Sequence, residues 1–429
     1  MAITLNQIPY NYTALKQKLI LTATSSEVGQ PGYRFVVEVI HNATGQLIYL
    51  QPNLNGVMVL DFYPVIKDLI DLSVTSSNAN SLFQEDLQSI QYYSNEHNII
   101  DIQVNLYDGY EVLGVFTQDP LSLGPVTDYF SFVNAAFQIS QGLNPDPEPI
   151  FSLSGNTSYQ MTDLNQDVYN LGNEINTYSL GANTIGVLAN FSNDYGVMTI
   201  PTDPGSRLAN NKIDQIQVIQ FNAAGAPIQT DTAAITMGTG ELSHLGIYPG
   251  NIDLAFGLLG NTHHYIVNFL FSGSPRARSI AFFQAEEECR FETIRLAWIN
   301  SRGGWDFWNF TKRSEENYAV ERKQYRKVIG NYATANSSFE YNTYDRGLTD
   351  RGAYVNKLLQ VSTDYLSEAQ FEFLRGLIIS DSVYILDSKG LPTPVNVENN
   401  NFTLLRTRSY IKEGTQLTVN LKYSQDYTA

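Results

Sequence analysis

The sequence predicts a mainly β protein: several β-sandwich-like domains in series with a few short helices, and a C-terminal region of α+β character. Three observations carry this expectation. The chain holds 27 Tyr and 22 Phe beside many Thr, residues that fit pleated, half-buried surfaces, and its Asn and 30 Gly suit the turns between strands. Apolar and polar residues alternate over short runs bounded by Gly, Asn and Pro. At 429 residues the chain exceeds one ordinary core, and 43% hydrophobic with 16% charged residues is a folded composition.

Breaks in the pattern divide the chain into an N-terminal β-sandwich-like domain (1–125), a linker with a short helix and a Pro-rich loop (126–149), a middle β domain (150–280) and a mixed C-terminal domain with a tryptophan hairpin (281–429). In the first, Tyr33-Arg34-Phe35-Val36-Val37-Glu38-Val39-Ile40 reads as a strand, His41-Asn42-Ala43-Thr44-Gly45 as a turn and 46–50 as the returning strand. Asn53-Leu54-Asn55-Gly56 breaks the chain before the strand Val57-Met58-Val59-Leu60-Asp61-Phe62. Residues 64–72 are expected to form a short helix with Pro64 in its first turn. Ile100, Ile102, Val104 and Leu106 alternate along a second hairpin that is expected to turn at Asp108-Gly109 and return over 112–116. A linking helix is expected over 128–142, before Gly142-Leu143-Asn144-Pro145-Asp146-Pro147-Glu148-Pro149, whose prolines stiffen the connector.

In the middle segment, Ile213, Ile216, Val218 and Phe221 mark a strand before the turn Asn222-Ala223-Ala224-Gly225. A further strand over 264–271 closes at Ser272-Gly273-Ser274-Pro275. Towards the C-terminus, Ser367-Glu368-Ala369-Gln370 matches a capping box, and Leu366, Ala369, Phe373, Leu377 and Ile378 form an apolar stripe at helical spacing. Gly390-Leu391-Pro392-Thr393-Pro394 separates this helix from strands expected over 402–408 and 416–423. Asp345-Arg346-Gly347 and Asp350-Arg351-Gly352 read as a pair of turns.

All three tryptophans lie between Trp298 and Trp308. Ile294, Leu296 and Trp298 share one strand face, Gly303-Gly304 supplies a turn, and Trp305 and Phe307 are expected to continue that face while Trp308 and Phe310 take the other. Aromatics on both faces require cover on both sides, from the chain's own core, from another subunit, or, least, from a stacked sugar. The interface candidates are Trp298, Arg302, Trp305, Phe307, Trp308 and Phe310, joined by Tyr318 and Tyr325 from the charge run that follows. That run, Lys312-Arg313-Ser314-Glu315-Glu316 and Glu321-Arg322-Lys323-Gln324-Tyr325-Arg326-Lys327, reads as a solvated β edge or interaction arm whose Lys and Arg discourage unwanted pairing.

Motifs for catalysis are not found: there is no phosphate-cradling Gly-rich loop with Lys-Ser/Thr, no Gly-x-Ser-x-Gly and no His-Glu-x-x-His. His263-His264 in a strand are expected to point to opposite faces, Ser243-His244 shows no third partner, and Glu286-Glu287-Glu288 reads as a polar edge rather than a glycosidase pair. A single cysteine, Cys289, excludes an intrachain disulfide and a zinc-finger site, so neither metal nor cofactor is expected. The start, Met-Ala-Ile-Thr-Leu-Asn, does not read as a signal peptide, and no run reaches the roughly 20 apolar residues of a membrane span.

The net charge of −17 is uneven: residues 1–275 hold 6 Lys+Arg against 24 Asp+Glu, and residues 276–429 hold 20 against 19. The acidic part argues against sequence-specific nucleic-acid binding and would repel DNA if it lined a channel.

The stretch from Cys289-Arg290-Phe291-Glu292 through Ile294-Arg295-Leu296-Ala297-Trp298 to Trp305-Asp306-Phe307-Trp308-Asn309-Phe310 resembles a segment in virion structural proteins of tailed phages infecting Bacteroidetes-like hosts. Val383-Tyr384-Ile385-Leu386, Pro394-Val395-Asn396-Val397 and Leu417-Thr418-Val419-Asn420-Leu421-Lys422-Tyr423 are similar to the same group, as are Tyr33-Arg34-Phe35-Val36-Val37 and Val59-Leu60-Asp61-Phe62. The resemblance is thin over 126–260. It implies a non-enzymatic structural component of the particle, in the tail or baseplate, located in the virion and assembled with copies of itself and other virion proteins. A receptor- or glycan-binding adhesin of the same tail, with a host-surface glycan as partner, is the second expectation.

Overall fold

The computed structural model describes residues 3–10, 13–69, 91–93, 99–118, 125–135, 160–180, 183–201, 213–235, 242–285, 290–333, 335, 337–341, 343, 347–399, 415–424 and 427–428. The protein is mainly β, with several sheets and few short helices. The loop 142–149, Glu286, Glu287, Glu288, Cys289, Asp345, Arg346 and the strand expected over 402–408 lie outside the described residues.

The N-terminal part is a sandwich. Ile3–Gln7, Ile20–Ser25 and Val57–Asp61 form a three-stranded sheet. Facing it is a six-stranded sheet in the order Thr13–Ala14, Val126–Val133, Ile99–Val112, Arg34–His41, Thr44–Leu50, with Val115–Gln118 paired to Ile99–Val112. Alternation places Leu21, Met58 and Leu60 of one sheet against Phe35, Val37, Ile102, Val104, Phe130 and Phe132 of the other in one buried cluster.

Several turns and elements differ from the expectations. The first hairpin turns on Asn42 and Ala43 alone, at φ 46 and 64, and pairs His41 with Thr44, so Gly45 belongs to the strand. Asp108-Gly109 is not a turn: the strand runs on through it to Val112, and the reversal falls at Leu113 and Gly114, φ 53 and 80. Asp108 is held in the strand because its carboxylate accepts from the Tyr33 hydroxyl at 2.5 Å and the Ser25 hydroxyl at 2.7 Å. Gly109 is required by close approach, since a Cβ there would lie 2.5 Å from the Phe116 ring. Residues 128–133, expected in a linking helix, belong to the strand Val126–Val133, whose Phe130 and Phe132 fill the core; 136–142 lie outside the described residues. The short helix begins as expected, as Tyr63–Ile66, and passes into a 3-10 turn, Lys67–Leu69; 70–72 lie outside the described residues.

From residue 160 onward one apolar core is continuous between Leu164 and Leu421. A six-stranded sheet runs in the order Ile185–Ala189, Ile280–Gln284, His264–Phe271, Gln215–Phe221, Pro227–Ala234, with Ser274–Pro275 paired to His264–Phe271. The turns at 222–225 and 272–273 are those expected; Asn222 accepts from the Ala224 and Ala226 amides at 3.0 Å, and Gly225, Ser272 and Gly273 supply positive φ. Beside this sheet, Leu242–Gly246 lies between Val197–Pro201 and Gln91–Tyr93. The last of these strands comes from the N-terminal third of the sequence.

The C-terminal region builds one eight-stranded sheet in the order Trp305–Phe310, Ile294–Ile299, Val383–Leu386, Pro392–Val397, Thr415–Tyr423, Leu348–Leu366, Ser314–Arg326, with Tyr427–Thr428 off this path. The helix Glu368–Ile379 carries the expected capping box: the Ser367 hydroxyl accepts from the Gln370 amide at 3.2 Å, and the Gln370 side chain accepts from the Ser367 amide at 2.9 Å. It buries Phe371, Phe373, Leu374 and Leu377 against the sheet. Asp350-Arg351-Gly352 lies inside the strand Leu348–Leu366 rather than in a turn, at a register shift opposite Lys323 and Gln324.

Candidate functional site

The tryptophan hairpin is closed by the loop 300–304, organised by one side chain. Asn300 Oδ1 accepts from the amides of Arg302 and Gly304 at 2.9 and 3.1 Å, while its Nδ2 donates to the Met161 carbonyl at 3.0 Å. The five-residue loop sets Ile299 opposite Trp305. The two faces therefore sort differently from the expectation. Phe310, Trp308 and Asp306 share the face of Ile294, Leu296 and Trp298, and Trp305 and Phe307 share that of Ile299, Ala297 and Arg295.

Five of the eight interface candidates are buried by the chain itself: Trp298 (0% exposed), Trp305 (3%), Phe307 (1%), Trp308 (8%) and Phe310 (1%). Trp298 meets Phe373 edge-on at 5.2 Å, Trp305 meets Tyr384 at 5.8 Å, Phe307 meets Tyr248 at 5.0 Å, and Trp308 stacks on Tyr169 at 5.2 Å. They act as core, most of their surface being used inside the chain, with an edge of Trp308 left bordering a cavity. Arg302 is half-buried and paired with Asp163 at 3.4 Å. Tyr318 and Tyr325 differ from the rest: they are 60% and 47% exposed.

Those two tyrosines sit on the strand Ser314–Arg326, which pairs antiparallel with Leu348–Leu366. Thr415–Tyr423 flanks only the stretch of Leu348–Leu366 from Leu358 to Leu366, and Tyr427–Thr428 touches Tyr354 and Val355. Beyond that root the two strands form a ribbon. It continues through the Lys327 amide, which donates to the Gly347 carbonyl at 2.7 Å, to a small hairpin of Asn331–Ala333 and Ser338–Glu340. At about 3.3 Å per residue the 13-residue strand alone is about 40 Å long. Tyr318, Val320, Tyr325, Val328, Tyr332, Phe339 and Tyr341 are exposed along it. Ion pairs brace the ribbon: Lys357–Glu316 at 2.6 Å and Arg322–Asp350 at 3.3 Å, with Lys323 over the Tyr354 ring at 4.9 Å. The charge run thus forms a sheet edge with its aromatic residues turned to solvent.

The buried polar clusters fasten segments of the chain to one another. Asp306 is buried; it accepts from the Thr162 hydroxyl at 2.5 Å and the Asp163 amide at 3.0 Å, and Asp163 in turn holds Ser301 through amide and hydroxyl. Burial, then the charge of Asp163, pushes the Asp306 carboxyl up to about 7. With both oxygens engaged inside the fold, it has no open face for a substrate. Arg295 is buried between Tyr248 and Phe307, 4.8 and 5.1 Å from their rings, and reaches Asp194 at 3.4 Å and Asn309 at 2.7 Å. The sequence reading missed both clusters, although an arginine inside Ile294-Arg295-Leu296-Ala297-Trp298 signals a buried ion pair.

His263 and His264 do not point apart, because His263 lies just before the strand that begins at His264. Their Nδ1 atoms are 3.1 Å apart, and His264 packs against Tyr178, Phe221 and Phe283. Burial, then the neighbouring His263, lowers His264 to about 4. His244 bonds the Thr199 hydroxyl at 3.0 Å, and the hydroxyl of Ser243, also buried, has no hydrogen-bond partner among the described residues. Among the described residues no group of three or more His, Cys, Asp or Glu could hold a metal ion, and no helix is long and apolar enough to cross a membrane.

Compared with known proteins, the chain matches no family model and no curated sequence.

Proposed function

We propose that this chain is a non-enzymatic structural component of a tailed-phage particle, in the tail or baseplate, that assembles with copies of itself through the ribbon Ser314–Arg326/Leu348–Leu366. The exposed aromatic ribbon carries this reading. A two-stranded ribbon is marginal in water, and this one leaves large side chains such as Tyr318, Val320, Tyr332 and Phe339 uncovered. A neighbouring subunit supplies the missing cover, and Tyr and Phe with Arg at hand are the residues that carry binding energy in such contacts. A heterologous contact closes into a ring where the rotation between subunits closes. The resemblance of the hairpin and C-terminal strands to tail-associated virion proteins supports placing the assembly in a phage particle.

Native mass measurement and electron microscopy of the purified chain test the proposal. The wild type is expected to form a closed oligomer, and Tyr318→Glu with Tyr325→Glu to shift it to monomer without lowering the melting temperature. A wild type that stays monomeric over the whole accessible concentration range refutes assembly through the ribbon. Absence of the chain from purified particles refutes the virion placement.

A further inference from the structure

A cavity of about 630 Å³ lies where the middle sheet meets the tryptophan hairpin. Its apolar lining includes Tyr169, Trp308 and Phe283, with Tyr169 stacked on Trp308 at an interplanar angle of 18°. Glu174, Thr293 and Thr311 also line it, and among the described residues their side chains have no hydrogen-bond partner. None of the described lining residues is Lys or Arg.

We propose that this cavity binds a neutral saccharide of one or two rings. The volume lies within the range of small-ligand sites. An aromatic wall covers the C–H face of a sugar, while a carboxylate and hydroxyls left free by the fold satisfy its hydroxyl groups. The lack of Lys and Arg among the described lining residues disfavours a phosphate or an acidic sugar, which would bring a poorly paired charge into the pocket. Among the described lining residues Glu174 is the one carboxylate, and it serves as an acceptor for sugar hydroxyls. This goes beyond the assembly proposed above and does not depend on the ribbon. Of the three tryptophans, Trp308 borders the cavity.

Trp308 is the one tryptophan bordering the cavity, so intrinsic fluorescence reports its occupancy. The full chain is titrated with maltose, cellobiose, lactose and N,N′-diacetylchitobiose, followed in parallel by saturation-transfer NMR, with tetramethylammonium as a cationic probe. At least one disaccharide is expected to give a saturable change. Glu174→Ala, which removes a charged acceptor, and Leu188→Trp, which fills the rim from a residue 37% exposed, are each expected to weaken it about tenfold or more. Thermal melting confirms that both variants are folded. The proposal is overturned if no disaccharide gives a saturable signal, if both folded variants bind as well as wild type, or if tetramethylammonium alone binds.

Discussion

At the scale of single residues, two buried groups pull the pH dependence of stability in opposite directions. The folded chain keeps a proton on Asp306 up to about 7, which the unfolded chain releases in the ordinary carboxylate range. Over that interval the folded state binds more protons, and this group's contribution falls as pH rises. His264 reverses the sign: folded, it has lost its proton above about 4, whereas the unfolded imidazole keeps it to its ordinary value of 6.5. Its contribution rises with pH across the same window. A nearly flat profile between about 4 and 6.5 is expected for the wild type. Asp306→Asn should leave stability climbing with pH by roughly 1 kcal/mol per unit, and His264→Phe should leave it falling by a similar slope. Urea midpoints measured across that range decide; equal profiles in all three proteins would show that neither group titrates as described.

At the scale of elements, the tryptophan hairpin depends on how closely its loop sits on the segment around Met161. A Cβ at Gly304 would fall 1.8 Å from the Met161 carbonyl oxygen, and one at Gly303, where φ is +83°, would fall 2.5 Å from a Val133 methyl. Gly304→Ala has no flexible side chain to displace, so a loss of about 3 kcal/mol or more is expected in denaturant unfolding, against well under 1 kcal/mol for Gly352→Ala, whose Cβ meets open space. The hairpin also marks where the sequence is legible and where it is not. Its strands follow from alternation, and the capping box at Ser367 and the strand over 264–271 follow from local chemistry. The facing of Trp305 was not readable, because it depends on counting five loop residues around Asn300 rather than a two-residue Gly-Gly turn. The partners Tyr169, Tyr248 and Phe373 were equally hidden, since they arrive from distant parts of the chain. Asp108-Gly109 misled for a similar reason: the pair has turn chemistry, but Tyr33 and Ser25 hold it straight. The charged edge was legible from composition alone; the length of the ribbon was not, because it needs the pairing of residues 314–326 with 348–361.

At the scale of the whole molecule, the described residues contain two large cores. One spans Ile3 to Phe132, and the other runs from Leu164 to Leu421. Calorimetry is expected to resolve two unfolding transitions, the smaller belonging to the N-terminal sandwich. Fluorescence should follow only the larger one, because all three tryptophans lie in the second core. One transition seen alike by heat and fluorescence would mean that the two cores unfold as one unit.

The cores are also joined by more than the covalent chain. Gln91, Tyr92 and Tyr93 pair with Leu245, His244 and Ser243 in the second unit's sheet, and Lys16 reaches Asp381 at 2.5 Å. Separating the two halves would break these backbone bonds and this ion pair. The N-terminal sandwich is thus fastened to the second half in the manner of a rivet, so that part of a mechanical load on one half reaches the other through these contacts.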